Sequence, residues 1–417
     1  MKSKVRKYLF NQISENRIVY FFGIITIFLT SIFLLRFNSE FAGAKYDSQF
    51  YLNMYEYIRI HKSAIPLEMY EVASSPIFVH AFGFSLLLSG SLYSIVISFS
   101  YAIMSLISLI FFEKLIRQTH LRVKITLVTM FCGSGYFVAP MLNPTSDLPM
   151  ILFLTITLYA FSSANRRLLS ISLFGLLSVR QSFGWILVVF VVWDLYTLLK
   201  YRKVTIKDIL WTYSFSFISL FATFIYFENH LFPDFYLELQ PENVFSIPNF
   251  LSVIQIGLSS LIMFTPLLFL SYKNIKLTKS SILLNCYLVS ISLAAILFPQ
   301  IKQIGDGLGY LSYFHGKLNF EIGHLSIMSS LGFLMLLKLA QDMNPIEKNF
   351  LHLYLFAFIT SSLVIPIPYL RYFQVPLIFA AALIFKNSPS GFKNTRSLVP
   401  YIGLIILIAG NFGAIAN

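Results

Sequence analysis

The sequence predicts an all-α protein, a polytopic membrane helix bundle of about thirteen transmembrane helices with interfacial helices in its first outer loop. Three observations predict this class. The 417 residues are 57% hydrophobic and only 12% charged, with mean hydropathy +0.73, a balance that would precipitate a soluble domain. Apolar stretches of spanning length recur along the whole chain instead of forming one block. The basic residues fall mainly in alternate connections, as membrane insertion requires.

Spans are expected near 18–36, 91–112, 125–142, 148–164, 168–179, 183–199, 209–227, 250–271, 281–299, 322–339, 350–366, 372–386 and 398–414. Several fall short of the ~20 residues needed for a perpendicular crossing. The pair 168–179 and 183–199 reads as two short helices around a break. A membrane tolerates such a break only where it is buried in protein or lines a cavity. Arg17 precedes a first apolar stretch that is too long for a cleavable signal core and reads as a retained helix.

With the N-terminus inside, 23 of the 31 Lys and Arg residues lie on the cytoplasmic side. That asymmetry sets the orientation. The net charge of +13 is therefore read as an insertion signal and not as a nucleic-acid surface. Twelve of the 18 acids fall outside. The chain reads as a single transmembrane domain, 1–417, with long extracytoplasmic loops at 37–90, 228–249 and 300–323. Cys132 and Cys286 sit in apolar segments and read as core residues without a disulfide.

The outer connections hold the residues able to do chemistry. In the first, Phe50, Met54, Tyr57 and Ile58 form one stripe of an amphipathic interfacial helix. Asp47 is expected at its N-terminus, where a helix cap competes with a catalytic carboxylate. The stretch Ser74 to Leu88 is apolar but short, and is expected to re-enter or lie flat. Asn143-Pro144-Thr145-Ser146-Asp147-Leu148-Pro149 suits a turn and a helix start, with Thr145, Ser146 or Asp147 as cap. Arg180, beside Gln181, and Arg371 stand at the outer ends of apolar helices. Each either snorkels or meets an anion. Two guanidinium groups in such places suit bidentate binding of a phosphate. The third loop offers Lys302, Asp306, Tyr310, His315 and Lys317 among glycines that mark a flexible loop, without the Gly-Lys-Ser/Thr ending of a P-loop. No His or Cys pair has metal-ligand spacing, so no structural zinc is expected.

With these residues in place, the layout resembles the GT-C superfamily of integral-membrane glycosyltransferases, which use polyprenyl-phosphate-linked sugars. Tyr46-Asp47-Ser48-Gln49-Phe50-Tyr51 is similar to a Tyr-Asp-x-Gln-Phe-Tyr stretch of bacterial members, and Asn143 to Pro149 to their second short polar motif. Arg180-Gln181 with Trp185, and Arg371-Tyr372-Phe373 with Pro376, resemble segments of the dolichyl-phosphoglucose-dependent α-1,2-glucosyltransferase family. The chain departs from that family where Ser48 follows Asp47 and where Ser182-Phe183 replaces its Thr-Asn.

The resemblance implies that Asp47 is the general base of an inverting transfer outside the cytoplasm. Arg180, Arg371, Lys302 and Lys317 would bind the donor phosphate. Tyr46, Gln49, Tyr51, Asp147, Gln181, Asp306, Tyr310 and His315 would contact substrate. It implies no cofactor, with a divalent cation left open. The partners would be a polyprenyl-phosphate-sugar donor, a glycan or lipid-linked glycan acceptor and membrane lipid, with no nucleic acid. The setting would be a bacterial plasma membrane. The alternatives are a Wzy-like polysaccharide polymerase and a lipid or oligosaccharide flippase or transporter. An O-acyltransferase is disfavoured, because His352 sits near the inner end of a span.

Overall fold

The computed structural model describes residues 17–31, 44–70, 72, 74–117, 119, 121–133, 135–202, 204–233, 345–362, 376, 378–380 and 382–383. Among the described residues the regular structure is entirely helical. The expected spans 250–271, 281–299, 322–339 and 398–414 and the loop 300–323 lie outside them.

Helix α1 covers Arg17–Ser31. Helix α2, Ala44–His61, and helix α3, Pro76–Leu86, form the first loop, joined through a 3-10 turn at Leu67–Met69. Helix α4, Tyr93–Leu115, is followed by α5, Leu121–Cys132, and α6, Gly135–Leu142. Then come α7, Asp147–Ser162, α8, Arg166–Val179, α9, Gly184–Tyr201, and α10, Ile206–Tyr226. Helix α11, Pro345–Ser362, packs against α9. Among the described residues, three helical stretches are long and apolar enough to cross a membrane: Pro76–Leu115, Gln181–Tyr201 and Ile206–Tyr226.

Two expected elements take a different form. The span foreseen at 125–142 is divided, α5 ending at Cys132 and α6 starting at Gly135. The segment Ser74 to Leu88, expected to re-enter or lie flat, forms α3 and is joined directly to the next span. Helix α3 runs through a 3-10 turn, Leu87–Leu92, into α4. The join turns at Gly90, whose φ of +56° is a backbone state that glycine enters without steric cost.

Helix length positions the site. At 1.5 Å per residue, α4 with 23 residues is about 35 Å long and α10 with 21 residues about 32 Å. Helix α8 has 14 residues and α7 has 16, so they reach only about 21 and 24 Å. The bilayer hydrocarbon core is about 30 Å thick. The two short helices pack on each other, with α4 against α7 and α10 against α8. Ser178, near the end of α8, bonds Ser219, seven residues before the end of α10, so the Arg180 end is recessed below the end of that longer neighbour. Tyr101, eight residues into α4, donates to the Thr145 carbonyl just before α7, so α7 starts deeper in the bundle than α4.

The first loop roofs this recess. Helix α2 packs on α3, and α3 packs on α8 and α10. The Ser75 amide donates to the Val179 carbonyl (3.0 Å), and the Tyr226 hydroxyl to the Ile65 carbonyl (2.8 Å). Ser75 also shares a 3.0 Å bond with Thr223. At the opposite end of the bundle, Arg166 makes a bidentate ion pair with Asp194, which also accepts from the Tyr213 hydroxyl. Arg166 opens α8 and Asp194 lies in the second half of α9, so the two helices run antiparallel, with the break between them at the recessed end.

Candidate functional site

Arg180 ends α8 because its backbone leaves the helix for an extended state, φ −139° and ψ 100°. A 3-10 turn, Gln181–Phe183, then leads into α9. The break is inside the protein: Arg180 is 6% exposed, Gln181 2% and Phe183 8%. An arginine in that position needs a counter-charge, and α7 supplies one. Arg180 Nη2 donates to Asp147 Oδ1 at 2.6 Å. Its Nε donates to Ser146 Oγ at 2.9 Å. With the carboxylate bound this way, two charges remain in the interior without a net charge there.

The start of α7 shows what the Thr145-Ser146-Asp147 stretch does. Ser146 is the N-cap residue, yet its side chain makes no capping bond. Thr145 Oγ1 instead accepts from the Asp147 amide at 3.3 Å and donates to Asp147 Oδ2 at 3.4 Å. The Ser146 hydroxyl is thereby freed to accept from two other elements, Arg180 and Tyr51, whose Oη donates to it at 2.7 Å. Burial pushes the Tyr51 phenol above its usual pKa, against the opposing pull of the Arg180 charge. Tyr51 therefore stays a neutral hydrogen-bond donor at physiological pH.

This buried network joins three sequence segments: α2 through Tyr51, the turn before α7, and the α8–α9 break. It also fixes the register of α2. The buried stripe is Tyr51, Met54, Tyr55 and Ile58, each at most 4% exposed. The expected stripe held Met54 and Ile58 correctly, but Phe50 and Tyr57 are half-buried and the two tyrosines take their place. Residues 44–47 are already helical, so Asp47 lies inside α2 and not at a capping position before it. It stands one turn ahead of Tyr51.

Tyr46 likewise lies within α2. Gln49 is exposed and donates to Asn53 at 2.8 Å, on a different side of α2 from the network. Lys302, Asp306, Tyr310, His315, Lys317 and Arg371 lie outside the described residues. The sequence reading missed Ser146 as the hub of the network and Tyr101 as its support. The signal for Ser146 was a second hydroxyl in a turn where Thr145 alone satisfies the Asp147 amide.

Gln181 differs from its neighbour. Among the described residues neither its Nε2 nor its Oε1 has a hydrogen-bond partner, although the residue is buried. Among the described residues, no group of three His, Cys, Asp or Glu side chains could hold a metal ion. A cavity of about 670 Å³ opens at the other end of the bundle, beside Arg166, Asp194, Asp208 and Glu347. Comparison of the chain with protein-family models, curated proteins and solved structures finds no match in any of the three.

Proposed function

We propose that this chain is a GT-C-type glycosyltransferase, a hexosyltransferase of about thirteen spans. It would work on the outer face of a bacterial plasma membrane, in cell-envelope polysaccharide assembly. The donor is a polyprenyl-phosphate-linked sugar, and the acceptor is a glycan or lipid-linked glycan. Asp47 is the general base. The acceptor oxygen attacks the anomeric carbon while its proton passes to the Asp47 carboxylate. The bond from the anomeric carbon to the phosphate oxygen breaks, and the lipid phosphate leaves as an anion. One direct displacement inverts the anomeric carbon. Because phosphate leaves as a stable anion, cations suffice where glycoside hydrolases need a second carboxyl as acid.

The observation that carries this reading is the register of α2. Asp47 stands one turn ahead of Tyr51, whose hydroxyl is built into the recessed network of Ser146, Asp147 and Arg180. The two polar motifs and the Arg-Gln pair that the resemblance singles out thus meet at one end of the bundle. The Arg180 charge is balanced by Asp147, so most of the net attraction for the donor phosphate falls to Arg371, Lys302 and Lys317. No step requires a metal ion, and a carboxylate-bound divalent cation is compatible with the scheme.

The break at Arg180–Phe183 favours a second reading, a lipid-linked oligosaccharide flippase or transporter, since broken helices mark transport sites. One variant separates the two. Asp47→Asn should lower sugar transfer from a polyprenyl-phosphate-sugar by about 10²- to 10⁴-fold in membranes, the usual worth of a general base. Its expression and thermal unfolding in detergent should match the wild type. Full transfer activity in that variant removes the base assignment.

A further inference from the structure

Gln181 is the polar side chain of the helix break that the protein itself leaves unsatisfied. An amide offers two donors and an acceptor with two lone pairs. At 2% exposure, neither end of the Gln181 amide is bonded among the described residues. Folded proteins seldom leave buried polar groups unpaired, because each one forfeits its hydration without compensation. Its neighbour is the reverse case. Arg180 is engaged at Nη2 by Asp147 and at Nε by Ser146. The break therefore presents one residue committed to holding the protein together and one with its hydrogen-bonding capacity intact.

The chemistry of that capacity narrows the ligand. The group is uncharged, so it gives a phosphate no countercharge. It donates and accepts from adjacent atoms in one plane. Neighbouring hydroxyls of a hexose, each able to donate and accept, match it. A carboxylate would pair only with the NH₂ and leave Oε1 bare. A purely apolar chain would satisfy neither end.

We infer that Gln181, and not Arg180, is the sugar-contacting residue of this break, its amide binding a pair of adjacent hydroxyls on the transferred hexose while Arg180 positions the surrounding turn. This rests on the glycosyltransferase reading and adds a specificity determinant to it.

The test uses the purified full chain in detergent. Binding is measured for bare polyprenyl phosphate and for the same lipid carrying glucose, mannose or galactose, in the wild type, Gln181→Leu and Gln181→Met. The wild type should bind one or more of the sugar-bearing lipids about tenfold tighter than the bare lipid, the worth of one to two net hydrogen bonds. Both variants should bind all four lipids with the bare-lipid affinity. Without ligand, both should unfold at or above the wild-type temperature, since an unpaired buried amide has been replaced by an apolar group of similar size. Methionine is the unbranched near-isostere that stays informative where leucine packs poorly. Sugar-dependent binding that survives both substitutions overturns the assignment. So does a wild type that binds all four lipids equally. A marked fall in unfolding temperature in both variants also overturns it, because the amide would then have partners within the protein. A wild type that binds none of the four lipids removes the glycosyltransferase reading itself.

Discussion

Arg180 and Asp147 are each legible in the sequence as charges that an apolar setting must explain, but their pairing is not. They stand 33 residues apart, at the ends of different helices, and no periodicity relates them. Read alone, Arg180 invites an external anion; in the fold, its anion is internal. The pair has a direct consequence for stability. Removing one member leaves the other charge buried and unpaired, which costs about 3–5 kcal/mol, whereas replacing both with apolar residues of similar volume is often neutral. Arg180→Met and Asp147→Leu should therefore each lower the detergent unfolding temperature sharply, and the double variant should recover most of the loss. If the double variant is as unstable as the sum of the singles, the two residues do not act as a pair. Tyr51→Phe is a milder change. It removes one of the two donors to Ser146 and should cost about 1 kcal/mol, read in the same unfolding measurement.

At the scale of elements, the break between 168–179 and 183–199 was readable because Arg180, Gln181 and Ser182 interrupt an apolar run. The roofing of the site by α3 was not. Its apolar residues are shared between a membrane crossing and a packed cap, and hydropathy does not distinguish those two environments. The close approach of α7 and α8 depends on a small residue, as helix pairs in membranes commonly do. A Cβ added at Gly175 would lie 2.3 Å from Phe153 Cε1, with two further atoms of the same ring within 2.8 Å. That is too close for any real contact, and the ring must shift or the helices must part. Since α7 and α8 carry the two halves of the network at their facing ends, parting them would strain the Arg180–Asp147 bond. Gly175→Ala should destabilise the protein by about 1–3 kcal/mol, the usual cost of overpacking. Gly175→Ala with Phe153→Leu should recover part of it. An unfolding temperature unchanged by Gly175→Ala would show that the ring moves aside freely.

At the scale of the whole molecule, charge distribution gave an orientation, and the described helices give two chemically distinct ends. One end holds α2, α3, the turn before α7 and the break at Arg180; the other holds Arg166, Asp194 and the capping box of Thr205 with Asp208. On the orientation expected from the positive-inside bias, the first end would face outward. Everything proposed for the site needs that assignment, because the loop that carries Asp47 must meet its substrates outside the cytoplasm. Substituted-cysteine labelling tests it in a background with Cys132 and Cys286 replaced by alanine. Gln49 is exposed on α2, and Asp208 is exposed at the start of α10, so each gives a reactive thiol on the surface of its own end. In intact cells, a membrane-impermeant maleimide should label Gln49→Cys at once. Asp208→Cys should react only after the membrane is opened. The reverse pattern would place the recess, its roof and the Asp47 turn in the cytoplasm, where an extracytoplasmic glycosyltransferase cannot work. Equal labelling of both positions in sealed cells would mean that the two ends are not on opposite sides of the membrane, and the bundle would then not be a set of crossings at all.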